Sequence, residues 1–444
     1  MEFLRIIKKR EGSLKNILKN SLNNKFLFPN SSNLEINNKF LFPNSSNLEI
    51  NNCDIMNLMK RNKEQVFISK FFKFGNKEWP DYILLSVIVI LIILGILILF
   101  SVSASISQAK FGKTYYFLNH QLLFGLVPGL ILAFLAFKIR LDFFKKWALI
   151  LLLSNLVLML LVFFPKIGIE SGGAARWIGL GKLTLQPSEF LKITFIIYLA
   201  AWLSSRGAKE KLKNSRKIFN QTFIAFLSLI LIIAFLLLLQ PNFSTLGIII
   251  LTGILMYFLS NTPLWQISLI ILLGGASLIP LLKIAPYRAE RLLIFLNPEL
   301  DPMGKGYQLK QALIAVGSGG IFGLGLGMSQ QKFGFLPQTF SDSVFAIFSE
   351  ETGFIGGLFL ILLFMVFFWR GFKIGLNSKN KFSQILAFGI TFYVVIQAFV
   401  NIGSMLGIVP VTGIPLPFIG YGGSHLIAEL IGVGILLNIS KQNT

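Results

Sequence analysis

The sequence predicts an all-α polytopic membrane protein, with about ten transmembrane helices and a large extracytoplasmic loop between spans seven and eight. Three observations carry that expectation. The chain is 54% hydrophobic and 14% charged, with a mean hydropathy of +0.71, where a soluble chain carries roughly 25% charge. Apolar runs close to the ~20 residues that cross a bilayer recur along it. Bases concentrate in alternate connections, as the positive-inside rule requires.

Residues 1–80 form a basic, Asn-rich tail, expected to be cytoplasmic and disordered, with one candidate surface-lying stretch at Val66–Phe74. NNKFLFPNSSNLEI occupies Asn23–Ile36 and recurs unchanged at Asn37–Ile50. A repeat fold needs at least three units, so a perfect double copy marks a segment under little structural constraint. Translation from Met56 would remove the duplication. No early apolar core resembles a cleavable signal. Residues 81–440 are the expected transmembrane domain, with 286–345 as its large outer loop.

The expected spans are Tyr82–Val102, Gln121–Phe137, Trp147–Phe164, Phe190–Leu203, Thr222–Leu239, Thr245–Ser260, Leu264–Ile284, Phe354–Trp369, Ile385–Ile408 and Ala428–Ile439. Orientation follows from three connections. The second carries Lys138, Arg140, Lys145 and Lys146, and the fourth Arg206, Lys209, Lys211, Lys213, Arg216 and Lys217. The eighth carries Arg370, Lys373, Lys379 and Lys381. All share a side with the basic tail, so that side is the cytoplasm and both termini lie there. The formal charge of +22 is thereby accounted for, and no nucleic-acid partner is expected. One cysteine, Cys53, excludes an internal disulfide. His120 and His425 offer no metal-ligand spacing.

Polar residues concentrate in four places on the outer side. In Gly172–Ile193, Arg176 and Trp177 suit the membrane interface. Glu189 and Lys192 are spaced to pair on one helix face near the Ser188 N-cap. A capped, ion-paired helix start and a cavity-lining face are both open for them. Gln240–Ser244 is a turn. Val409–Leu430, rich in proline and glycine, is expected to be extended and partly re-entrant, which requires burial in protein or a water-lined cavity. Within it His425 is a hydrogen-bonded packing residue, and Glu429 faces a partner or a cavity.

The fourth place is the loop Pro286–Gly357. Asn297–Gly304 is turn-rich, and Tyr307–Val316 has the pattern of an amphipathic helix lying on the membrane. Asp301 holds a carboxylate between Leu300 and Pro302, with Arg288, Arg291, Lys305, Lys310 and Lys332 nearby in sequence. Such a carboxylate can take a proton from an attacking hydroxyl while cations stabilise a departing diphosphate. A solvated loop with incidental ion pairs is the alternative. The run GSGGIFGLGLG at Gly317–Gly327 lacks the strand and lysine of a nucleotide-binding loop.

Several stretches together resemble one family. They are RWIGLGKLTLQPSEFLKI, QPNFST, YRAERLLIFLNPELDPMGKGYQLKQALIAVGSGGIFGLGLG, QKFGFLP, FAIFSEETGFIGG and PVTGIPLPFIGYGGS. The chain resembles the SEDS (FtsW/RodA/SpoVE) family of cell-wall proteins from about Tyr82 to Ser440, and its division branch more than its elongation branch. The resemblance implies ten spans and a peptidoglycan glycosyltransferase that polymerises lipid II on the outer membrane face. It maps the family's essential acidic residue onto Asp301, as general base. Substrate contacts are expected at Arg176, Glu189, Lys192, Arg288, Arg291, Lys305, Tyr307, Gln308, Lys332, Asp342 and Ser424. No cofactor is implied with certainty; a divalent cation at the diphosphate stays open. The implied partners are lipid II, a class B penicillin-binding protein transpeptidase and other divisome proteins, at the septal cytoplasmic membrane. One position departs from the pattern: Phe340 stands where many members carry histidine. A lipid II flippase and a non-catalytic divisome scaffold are the rival expectations.

Overall fold

A computed structural model describes residues 79–442, apart from 166, 172–173, 181–182, 211–214, 261, 285 and 302. The expected cytoplasmic tail lies outside the described residues, except at its last two positions. Twelve α-helices and one small sheet are present among the described residues. Helix α1 is Tyr82–Phe111, α2 Tyr116–Lys138 with a π-helical turn at Leu122–Leu126, and α3 Leu141–Leu161. After strands β1–β3 come α4 (Pro187–Glu210), α5 (Ser215–Leu239), α6 (Phe243–Phe258) and α7 (Leu264–Ile284). Helices α8 (Pro286–Leu296) and α9 (Lys305–Ser318) follow, then α10 (Val344–Asn377), α11 (Lys381–Met405) and α12 (Gly423–Lys441).

Seven of these helices are long and apolar enough to cross a membrane, so the chain is an integral membrane protein. The expected segments match observed helices in order, with shifted ends. Helix α1 runs to Phe111 because nothing breaks it before Gly112, whose left-handed backbone caps it. Helix α10 starts at Val344, ten residues before the expected span, and breaks at Gly353.

The helices divide by surroundings. Across their apolar windows α11 is 72% and α12 83% buried, whereas α1, α2, α3, α5 and α10 bury between 22% and 39%. A helix that is apolar all round but mostly uncovered is one whose free face meets lipid. The centre of the bundle is therefore α11 and α12, with α4 and α2 packed on them.

The all-α expectation needs one correction. Residues 168–185 form a three-stranded antiparallel sheet, β1 (Gly168–Ser171), β2 (Ala174–Leu180) and β3 (Leu183–Leu185), with Ile178 opposite both Gly168 and Leu185. The signal was in the sequence: Gly-Gly and Gly-Lys dipeptides separate three short runs. Ser424 on α12 secures this sheet to the bundle. Its hydroxyl donates to the Thr184 carbonyl at 3.2 Å and accepts from the Gln186 N–H at 3.0 Å.

The glycine-rich run and the FSEETG stretch fold against each other. Gly353 has φ +71°, and a β-carbon there would strike the backbone of Ile321 and Gly323. That close approach lets Leu324 and Gly325 donate to the carbonyls of Glu350 and Glu351, both at 3.0 Å. Buried Glu350 accepts from the Ser329 hydroxyl and the Gln330 N–H, and buried Glu351 pairs with Lys332 at 3.1 Å. The loop after α9 is thus clasped to α10. Residues 410–416 carry no regular secondary structure, and Leu416, Phe418 and Ile419 beside them are buried in protein.

Candidate active site

Asp301 lies in the connection between α8 and α9. Asn297 initiates the turn, its side chain accepting from the Glu299 N–H at 3.3 Å. Pro298–Leu300 then completes a single 3-10 turn, and Asp301 ends it in a half-exposed position. The turn folds back onto the start of α9, which only glycine permits. A β-carbon at Gly304 would meet the Asp301 carboxylate, and one at Gly306 would meet the carbonyl oxygens of Pro298 and Asp301.

Helix α9 is amphipathic over the expected stretch. Tyr307 and Lys310 line a cavity of about 590 Å³ with Pro298, Glu299 and Gly306. The opposite face buries Gln308, Ala312 and Ala315. Gln308 donates to Asp342 Oδ2 at 3.4 Å and to the Ser343 hydroxyl at 3.0 Å. Burial pushes the Asp342 carboxyl above its usual range, against hydrogen bonds from Ser341 and Gln308. Its carbonyl accepts from Asn401 at 2.8 Å, and the same amide reaches the Ile414 carbonyl at 2.7 Å. Phe340 stacks on Phe117 at 4.9 Å and meets Tyr421 edge-on. The departure from histidine is therefore filled by an aromatic cluster. In it the Tyr421 hydroxyl, 2.9 Å from His120 Nδ1, is pushed up to about 12 by burial and then by Tyr116.

The remaining expected contacts lie elsewhere. Arg176 on β2 donates to the carbonyls of Gln240 and Pro241, at 3.0 and 2.6 Å, holding the α5–α6 turn. Lys332 joins Glu351 and Ser101 on the wall of a mostly apolar cavity of about 800 Å³ between α1 and α10. Glu189 and Lys192 pair at 2.7 Å inside the bundle, as their spacing predicts, and are buried there with His425 and Glu429. Arg291 lies half-buried on α8. Arg288 and Lys305 belong to α8 and α9, but their side chains fall outside the described residues. The structure thus puts Tyr307 and Lys310 on one cavity wall with the Asp301 turn folded against the start of the same helix, links Gln308 with Asp342, and separates Lys332, Arg176 and the Glu189–Lys192 pair. Sequence reasoning missed Glu350, Glu351 and Gln397 as anchors. Adjacent glutamates inside an otherwise apolar run were the available signal.

The family model described as Cell cycle protein, FtsW/RodA/SpoVE, matches residues 82–444. This chain belongs to that family. Stage V sporulation protein E of Bacillus subtilis (strain 168) is 38% identical over 367 residues, spanning 83% of this chain and 98% of the relative. A probable peptidoglycan glycosyltransferase FtsW of Nitrosococcus halophilus (strain Nc4) is 38% identical over 371 residues, 83% of this chain and 94% of that one. Among solved structures, one described as structural coordination of polymerization and crosslinking by a peptidoglycan synthase complex superposes with a TM-score of 0.65. It is 27% identical and covers 82% of this chain and 98% of its own.

Proposed function

We propose that this chain is a peptidoglycan glycosyltransferase that polymerises lipid II at the outer face of the cytoplasmic membrane during septal wall synthesis. The observation that carries the reading is a half-exposed carboxylate, Asp301, on a glycine-clamped turn beside a cavity lined by Tyr307 and Lys310. Family membership and the names of the relatives support it. In this reading the helices make ten crossings with both termini in the cytoplasm, and the loop bearing α8 and α9 faces outward. The basic second, fourth and eighth connections support that orientation.

Asp301 takes the proton from the acceptor sugar hydroxyl as that oxygen bonds to the donor's anomeric carbon. The bond from that carbon to the diphosphate oxygen breaks, and the undecaprenyl diphosphate leaves with the electron pair. Lys310 and Arg291 supply positive charge for it. A diphosphate needs little help from an acid, so one carboxylate suffices where glycoside hydrolysis uses two. In this reading a divalent cation would be held by Asp301 and Glu299 together with the substrate phosphates, since such ions take one or two carboxylates. It would neutralise leaving-group charge. The partner in this reading is a class B penicillin-binding protein that cross-links the strands, within the divisome.

The test is polymerisation of lipid II by purified protein with its cognate transpeptidase. Asp301→Asn should remove activity while the protein stays folded and inserted; normal polymerisation by that variant overturns the assignment. A flippase is the rival, favoured by buried charges at Glu189, Lys192 and Glu429 and by the broken 410–422 segment. In the structure Glu189 pairs with Lys192, and both carboxylates lie against His425, which favours polymerase. Lipid II scrambling in vesicles that survives loss of Asp301 would support the flippase. A scaffold predicts silent Asp301 substitutions in dividing cells.

A further inference from the structure

His425 and Glu429 are four residues apart on α12, so helix geometry places them on one face. That face is turned into the centre of the bundle, where both are buried. His425 Nδ1 lies 2.8 Å from Glu189 Oε2, and its Nε2 lies 2.9 Å from Glu429 Oε1 and 3.1 Å from the Gln397 amide. From α4, Lys192 pairs with Glu189 at 2.7 Å. Its ammonium also donates to Gln397 Oε1 at 2.9 Å and sits 5.1 Å from the Tyr393 ring centre on α11. Two carboxylates and one ammonium leave one negative charge in the buried interior of the helix bundle, where an uncompensated charge is costly. His425 Nδ1 and Nε2 each face a carboxylate oxygen, so a proton on each ring nitrogen would bring the cluster to neutrality.

The second Glu429 oxygen accepts from the Phe418 N–H at 2.8 Å, and Gln397 donates to the Pro415 carbonyl at 3.1 Å. Both contacts fix the irregular 410–421 segment. That segment in turn holds the far end of the outer loop. Asn401 ties Ile414 to the Asp342 carbonyl, and the Tyr421 N–H donates to the Phe340 carbonyl at 2.8 Å. Asp342 then meets Gln308 on α9, the helix whose start is folded against Asp301.

We propose that His425 and Glu429 form a one-proton bridge that positions the 410–421 segment and, through Asp342 and Gln308, the α9 wall of the proposed active site. The inference rests on the glycosyltransferase reading for what the wall does, and on the distances above for the bridge. His425 and Glu429 are positioning residues here; neither is placed against substrate.

Two measurements test it. The chain has two histidines, so 15N-histidine labelling, assigned with His120→Gln, reads His425 directly. A protonated Nδ1, and an Nε2 signal that moves in Glu429→Gln, are expected. A bare Nδ1, or an Nε2 signal indifferent to Glu429→Gln, overturns the bridge. In polymerisation assays with the cognate transpeptidase, His425→Gln and Glu429→Gln should each lower kcat/KM about tenfold. The double variant should fall no further than the worse single, because the two act as a unit. Glu429→Gln should also be non-additive with Gln308→Leu. Losses that multiply, or a lower melting temperature with unchanged kcat/KM, overturn the positioning role. A wild-type protein that does not polymerise overturns the glycosyltransferase reading instead, and the nitrogen shifts then judge the bridge alone.

Discussion

Two aspartates flank α9, and the fold treats them in opposite ways. Asp301 ends a 3-10 turn and stays half-exposed beside a cavity, held there by neighbours that lack side chains. Asp342 is 6% exposed, with its oxygens engaged by Ser341 and Gln308 and its carbonyl by Asn401. A carboxylate that must accept a proton from a substrate needs access. One that organises a loop needs saturated hydrogen bonding. In the proposed mechanism this difference gives the first the chemistry and the second the architecture, although both lie within the family-matching residues 82–444.

The contrast can be broken at several points. Asp301→Asn should cost ~10²–10⁴-fold in polymerisation rate with unchanged thermal unfolding; a parallel loss of stability would make Asp301 architectural too. Gly306→Ala forces a β-carbon against the carbonyls of Pro298 and Asp301. A shift of about 1 Å in the carboxylate should cost ~10²-fold in kcat, read in the same assay. Gln308→Leu leaves Asp342 without its amide donor and should cost about 1–3 kcal/mol of stability, measured by thermal unfolding. The smallest effect belongs to Asp342 itself. Burial raises its pKa, so the folded state binds that proton more tightly than the unfolded chain. Its stabilising contribution is therefore present at acid pH and is lost as pH rises through the elevated pKa. Asp342→Asn, which cannot ionise, should gain relative to wild type toward neutral pH by up to about 4 °C in melting temperature. A melting-temperature difference that does not change with pH would contradict it.

Much of the architecture was legible because it is local. The apolar runs became helices, Tyr307–Val316 became the amphipathic core of α9, and Glu189–Lys192 paired as their spacing requires. The sheet at 168–185 was missed because its strands are short and lie in a stretch whose resemblance and span entrance drew the eye to helices. The candidate site was legible in part. Tyr307 and Lys310 share a cavity wall and Asp301 lies on the turn folded against the start of α9, close together as in the sequence, but Lys332 does not join them. Its three donors go to Glu351, Ser101 and the Gly327 carbonyl, and nothing in the local sequence ranks those partners above Asp301.

The sequence alone determined the class, the order of helices and the family, since run length, turn residues and loop charge act within a few residues of themselves. Tertiary structure alone decided which charges meet. His425 reaches Glu189 across 236 residues, and Lys332 reaches Ser101 across 231. A buried charge loses its contacts with water and must find its counterpart wherever the packing brings one. Exposure is set by the same packing, and it is exposure that separates Asp301 from Asp342.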